Sequence, residues 1–491
     1  MDTSSTPLQK GEGQPLSYDA ILSAVPTSLP PAYPVQAASY PGYPVATHVY
    51  IMPNQPHGRR SACGLIFKLF GCTFVFLALG RIVHHIFYRH STWDDDWDWN
   101  NLGRWPTSSS PVPTDGHQHP LKCIQGAGWT PVDDSSEDFP SMHLAKVDFE
   151  LPFSSSELLF FLSTGSLSHG SINMIEKKGN GAEQDTVDVS ILVGFYSREA
   201  LSRATVCSLE REEGQNGIGI FTPTVHDRHS WRDMLQFSIT VRLPTPGSGK
   251  APLDVPAFET SFHNFKHSFS LSDTFYRFGS VRLQTTNSGI DVQSMVVEQV
   301  IIATTNGHIH GSFNTSTSLT LVTTNAYVDV EAQLHNANTE HPTTLHTSST
   351  NGATKVSASL HSTSETSAGS FNINSRTSNS PLDVSVNDAP ADSTLYVSGH
   401  TTNSRAQVRL PAAYKGTFVL STTNSHPTLD HSEEREDPSG RGRKRVIDVN
   451  PVDGKGRTVS GEIKWSPRDE TSRSKGVVAV STTNGPVKLS L

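Results

Sequence analysis

Asp291 and Asp329 are the first residues to weigh for chemistry. Each stands four residues after an asparagine, at the same point of a recurring phrase, and clustered carboxylates on one face are how some β-helices cleave polysaccharides. The two belong to repeats that are not adjacent, so they form no pair, and outward strand positions are often acidic for solubility alone. His308 and His310 alternate along one strand and could in principle ligate a metal ion, but no carboxylate or cysteine stands at a matching spacing. The four cysteines, Cys63, Cys72, Cys123 and Cys207, lie too far apart for a zinc-ligand pattern. Cys123 and Cys207 are the candidate disulfide if their domain lies in an oxidising compartment. A Gly-rich phosphate loop, a nucleophile elbow and a His-Glu-x-x-His helix are all missing. The expectation is a protein that is no enzyme and takes no cofactor or metal, with a carbohydrate-active β-helix enzyme as an alternative.

Three short motifs point to recognition or modification instead. Pro30-Pro31-Ala32-Tyr33 resembles the PPxY ligand of WW domains, in which a pre-set extended proline backbone lays Pro30, Pro31 and Tyr33 on an aromatic groove. Asn314-Thr315-Ser316 is the single N-glycosylation sequon, so Asn314 is the acceptor candidate. Lys444-Arg445 resembles the dibasic site of secretory processing proteases, although a solvated charge run explains it as well.

The elements that must position these residues follow from one repeated phrase. Two or three hydroxyl residues precede an asparagine and then a small residue, and alternating strands lie on either side, around Asn287, Asn306, Asn325, Asn351, Asn379, Asn403, Asn424 and Asn484. The steps are 19, 19, 26, 28, 24, 21 and 60 residues, and steps near 20 mark a repeat in which each unit is one turn of a coil. A two-residue hairpin at each corner would favour Asn-Gly, yet only three of the eight phrases have Gly there, while four have Ser and one has Ala. A solenoid corner asks for one left-handed residue, for which Asn is suited, and stacking would set Asn over Asn as a ladder. The fold class expected is all-β, a β-solenoid-like repeat domain, with an antiparallel β-sandwich as the alternative. A disordered, glycosylated stalk would have no reason to keep the apolar alternation.

The chain divides by composition. Residues 1–58 hold ten prolines and five tyrosines and read as a disordered cytosolic tail. Residues 61–83 read as a transmembrane helix, since Ser61–Gly80 is about the 20 residues that span a bilayer. Its one charge before Arg81, Lys68, can snorkel, and Cys63 at its boundary is a palmitoylation candidate. A Trp/Asp and Pro/Ser/Thr linker follows over 91–140, then an irregular β cap with first coils over 141–280. The repeats occupy 281–491, with a polar insertion over 430–475 read as a surface loop that folds over the final coil. Basic residues favour a cytosolic N-terminus slightly, which sets the C-terminal domain in the lumen or outside the cell. A net charge of −9, from 38 basic and 47 acidic residues, leaves no basic patch for nucleic acid.

With the Thr-Thr-Asn-[Gly/Ser] phrase, the apolar span and the Pro/Tyr tail together, the chain resembles a group of uncharacterised fungal single-pass membrane proteins. Their C-terminal β-rich domain is in turn similar to a bacterial adhesin-like repeat family. The resemblance covers roughly residues 140–491 and implies a solenoid-like domain of unknown molecular activity, with no functional residues to carry over. The function expected is a membrane protein presenting an adhesin-like domain for binding a protein or glycan, without catalysis. The alternative is a membrane adaptor that recruits a WW-domain ubiquitin ligase.

Overall fold

The computed structural model describes residues 119–132, 139, 142–177, 185–223, 231–247, 249–365, 367–431, 435–451, 456–467 and 476–491. The tail 1–58, with Pro30, Pro31 and Tyr33, and the apolar segment 61–83 lie outside the described residues, as does most of 91–140. Among the described residues no helix is long and apolar enough to cross a membrane.

The described chain is almost entirely β, with 27 strands in one hydrogen-bonded network. Its one α-helix, Arg198–Ser202, is a single turn capped by the Ser197 hydroxyl, which accepts from the Ala200 N–H at 3.1 Å. In the repeats, a leading strand runs into each asparagine corner and a trailing strand leaves it. Leading strands stack on leading strands and trailing on trailing, and every such pairing from Leu253–Ser261 and Phe265–Ser270 onward is parallel. Parallel pairing is what the antiparallel sandwich does not provide, since hairpin-linked strands run in opposite directions.

Register follows the apolar alternation. Val281 pairs with Val300, Val300 with Leu319, Leu319 with Leu345, Leu345 with Ile373, Ile373 with Val397, Val397 with Val478 and Phe418 with Val478. All eight are buried. A slip of one residue would turn this whole column outward. Two long strands, Ile290–Ala303 and Ile309–Val322, each serve as the trailing strand of one coil and the leading strand of the next. They pair with register shifts after Val292 and Val297, and such bulges let a strand bend without breaking. Aromatic side chains crowd the N-terminal coils, with Phe161, Phe237, Phe258, Phe265 and Phe269 all at 1% exposure or less, and aliphatic ones fill the later coils.

The order of coils in space departs from the order in sequence at both ends. Gly476–Thr482 pairs with Thr394–Thr401 on one side and Gly416–Thr422 on the other, and Val487–Ser490 likewise lies between Ala406–Arg409 and Pro427–Asp430. The coil of Asn484 is therefore slotted between the coils of Asn403 and Asn424. At the other end Leu158–Thr164 and Ser168–Glu176 lie between a coil earlier in space, Gln215–Phe221 and Leu235–Leu243, and the coil of Asn264.

Antiparallel strands close the stack. Thr205–Glu210 and Thr186–Phe195 pair antiparallel with the outermost N-terminal coil, and His119–Gln125 and His143–Pro152 pair with them in turn. At the C-terminal end the polar insertion forms a hairpin, Lys444–Pro451 with Thr458–Ser466, laid antiparallel on Gly416–Thr422. The insertion expected as a surface loop over the last coil is thus partly regular, and it covers the coil of Asn424 rather than that of Asn484. A coil edge left open presents unpaired backbone groups, which is why a cap is needed there.

Candidate functional site

The repeated phrase builds a continuous polar feature along the stacked coils. Each corner asparagine donates from Nδ2 to Oδ1 of the asparagine in the neighbouring coil: Asn287 to Asn264, Asn306 to Asn287, Asn325 to Asn306, Asn351 to Asn325, Asn379 to Asn351, Asn403 to Asn379, Asn484 to Asn403 and Asn424 to Asn484. The distances are 2.6 to 2.7 Å throughout. Nine amides thus form one row, all with the same polarity. Asn264 is its first member, and its phrase, Ser261-Phe262-His263-Asn264, lacks the hydroxyl pair by which the others are legible.

A second ladder runs beneath the first. At every corner except that of Asn264, the hydroxyl two residues before the asparagine is buried and donates to the carbonyl one residue after the asparagine of the neighbouring coil. Thr323 reaches the Gly307 carbonyl at 2.9 Å, Ser349 that of Ala326 at 3.1 Å, Thr377 that of Gly352 at 3.0 Å, and Thr482 and Thr422 those of Ser404 and Gly485 at 3.0 Å. Thr285, Thr304 and Thr401 do the same at 3.1 to 3.3 Å. A β-turn of backbone has no strand partner for these carbonyls, so a side-chain donor must satisfy them once buried. The first hydroxyl of the phrase is therefore a structural requirement.

The expected left-handed asparagine is not found. Among the described residues Asp392 is the single non-glycine residue with positive φ, so Asn is selected by its amide, which can donate and accept along the axis at once. Glycine follows the asparagine where the neighbouring coil comes too close for a side chain. A Cβ on Gly307, Gly352 or Gly485 would overlap the carbonyl oxygen of Ser288, Ala326 or Ser404 respectively.

Near the amide row, rings and charges lie together at the surface. His308 Nε2 lies 2.9 Å from Asp291 Oδ1, Lys266 Nζ lies 3.0 Å from Asp291 Oδ2, and the His308 ring stacks on the half-exposed Tyr327 ring at 5.1 Å and 11°. Burial pushes the Asp291 carboxyl up, but hydrogen bonds from His308 and Lys266 outweigh it and hold the group below the usual carboxylate range. His310 turns to the Asp329 carbonyl at 3.1 Å, and Asp329 pairs with Lys355 at 3.1 Å. Asp291 and Asp329 are both in register with His310, one coil to either side, which sets them two strand spacings apart, about 9.6 Å. Each is neutralised by its own cation. Among the described residues no three His, Cys, Asp or Glu side chains are grouped to hold a metal ion.

The remaining candidates are placed as follows. Cys123 and Cys207 are direct partners across antiparallel strands, 4.1 Å apart at Cα, and are joined as a disulfide. Asn314 is half-buried within Ile309–Val322, and its sequon partner Thr315 is buried with its hydroxyl on the Glu298 carbonyl at 2.7 Å. Lys444 and Arg445 begin a paired strand, and Arg445 is only 6% exposed. A processing protease needs an extended, accessible dibasic segment, whereas Arg445 here is buried within a paired strand.

No family model matches the chain, and no curated protein matches it. A solved structure with which it is aligned is described as "a putative cell adhesion protein from Clostridium sporogenes", at 8% identity over 71% of this chain and 99% of that chain, with a TM-score of 0.15. A likeness at that score carries no weight for either fold or activity.

Proposed function

We propose that this chain is a single-pass membrane protein, anchored by residues 61–83, that holds a β-solenoid outside the cytosol as a rigid, repetitive binding surface and performs no catalysis. The observation that carries the reading is the unbroken row of nine asparagine amides, fixed by parallel stacking and flanked by the exposed patch of Lys266, Asp291, His308 and Tyr327. Equal spacing along an axis suits a partner that is itself repetitive, since weak contacts then add through effective concentration. A general acid needs a raised carboxyl pKa, and Asp291 is shifted the opposite way, which favours binding over polysaccharide cleavage. The disulfide of Cys123 and Cys207 suits a lumenal or extracellular domain.

The test has two parts. Protease protection on sealed microsomes, with a tag after Leu491, should leave that tag intact, and its digestion would put the repeats in the cytosol and end the surface reading. The full-length chain should then be retained on immobilised cell-wall or cell-surface glycans and proteins, with Tyr327→Ala weakening retention several-fold. Retention that is absent from every such surface would remove the binding role.

A further inference from the structure

The C-terminal cap buries a cation that no acceptor meets. Arg445 is 6% exposed, and its Nε and both terminal guanidinium nitrogens lack a hydrogen-bond partner. Trp465 is 5% exposed, and its indole Nε1 also lacks a partner. The two are direct partners across the hairpin of Lys444–Pro451 and Thr458–Ser466, so their side chains rise from the same face about 5 Å apart. Ile447 and Ile463 of the same hairpin pack against the core.

Other charges around this face make the arrangement more one-sided. Burial first, and the Arg435 charge second, lower Arg445 to about 10. Arg443 lies over the Trp465 ring at 5.8 Å. Asp437 holds Arg443 at 3.0 Å, and Asp392 holds Lys415 at 2.7 Å. Arg435 donates to the Leu491 backbone carbonyl at 2.8 Å. One buried guanidinium therefore stands without an acceptor, with an indole N–H beside it. Buried charges are normally paired, and a guanidinium fork with a third donor alongside matches the oxygens of an oxyanion.

We propose that Arg445 and the Trp465 indole N–H form an oxyanion site, taking a phosphate, sulfate or carboxylate group under the capping hairpin. Lys444–Pro451 is an edge strand, paired on one side only among the described residues, so its opening admits the ligand without disturbing the coils. An occupied site fastens the hairpin over the coil of Asn424. The proposal is independent of the binding role of the amide face.

The experiment is thermal unfolding of the full-length chain, with inorganic phosphate replacing chloride at constant ionic strength, beside calorimetric titration with phosphate, sulfate and acetate. The wild-type chain should show saturable stabilisation and measurable binding. Arg445→Met should show neither, and in chloride it should unfold no lower than wild type, because the buried charge has gone. Trp465→Phe keeps the ring and removes one donor, and should weaken phosphate binding about tenfold, so the proposal stays testable if the methionine variant fails to fold. Equal affinity for inorganic phosphate and for glycerol phosphate assigns the site to a free anion, and tighter binding of the ester assigns it to a larger ligand carrying the group. Stabilisation that is shared by Arg445→Met would mean an adventitious ion only, and a wild-type chain indifferent to all three anions would mean that the chain supplies its own acceptor; either overturns the site.

Discussion

The asparagine at each inner corner of the row donates one side-chain hydrogen bond and accepts another, and both disappear together when it is removed. Asn351→Ala, in mid-row, should cost about 1–2 kcal/mol in denaturant unfolding, since a net hydrogen bond contributes roughly 0.5–1.5 kcal/mol and two are lost. Asn424→Ala, at the end of the row, loses one and should cost about half as much. Equal costs at the two positions would mean that the row does not act as a ladder. The buried histidines supply a pH dependence. His267 is fully buried; its Nδ1 donates to the Phe265 carbonyl at 3.0 Å and its Nε2 accepts from Thr260 at 2.8 Å. Burial lowers its pKa from 6.5 to about 4. The unfolded chain takes up the proton near pH 6.5 and the folded chain only near 4. Its contribution is therefore full above pH 6.5, is lost as pH falls to about 4, and amounts to ~3 kcal/mol. Denaturant midpoints measured from pH 7.5 to 4 should fall accordingly, and His267→Gln should flatten the curve. Residue roles were legible only in part. The phrase marked the corner, but a preference for left-handed backbone and a preference for an amide ladder select the same residue type, and sequence alone does not separate them. Asn264 is not legible as a corner because Phe262 and His263 stand where the other corners have hydroxyl residues.

At the scale of the element, the small residue after the asparagine is set by its neighbour in the adjoining coil. Gly352→Ala drives a Cβ into the Ala326 carbonyl and should destabilise by about 1–3 kcal/mol, as overpacking does. Ser404→Ala, whose position already carries a Cβ, should stay within about 0.5 kcal/mol. Urea titration of the two variants checks the contrast, and a neutral Gly352→Ala would show that the coils have room to spread. The strands themselves were readable, because period-two alternation of Ile, Val and Leu is a local signal. Their pairing was not, since the alternation is the same whether a neighbour runs parallel or antiparallel. The hairpin of 444–466 was obscured by the charges around it: the polar insertion reads as a surface loop, yet just ahead of the hairpin Arg443 and Asp437 form a buried ion pair at 3.0 Å, at 8% and 3% side-chain exposure. That hairpin covers the leading strand Gly416–Thr422. Excision of 436–466 with a short linker should expose this edge and shift the protein to larger assemblies than the intact chain forms in light scattering.

For the whole molecule, coil order is the decisive property. A chain whose last coil simply ended the stack would lose little on truncation, because repeat arrays shed terminal units with modest cost. Here the coil of Asn484 holds apart the coils of Asn403 and Asn424, and the 60-residue step between Asn424 and Asn484 is the length the chain uses to cap the stack and come back inside it. Nothing local in the sequence encodes that return, since Thr482-Thr483-Asn484-Gly485 is the same phrase as the others.

The measurement that tests this account most directly is thiol cross-linking in the full-length chain with a reagent spanning about one strand spacing, roughly 5 Å. Lys488 is in register with Gln407 on one side and Thr428 on the other. The pairs Gln407→Cys with Lys488→Cys, and Thr428→Cys with Lys488→Cys, should both cross-link rapidly, while Gln407→Cys with Thr428→Cys, a full coil further apart, should not. Rapid cross-linking of Gln407→Cys with Thr428→Cys, and none between Gln407→Cys and Lys488→Cys, would mean that the coils stack in sequence order and would contradict the interleaved fold.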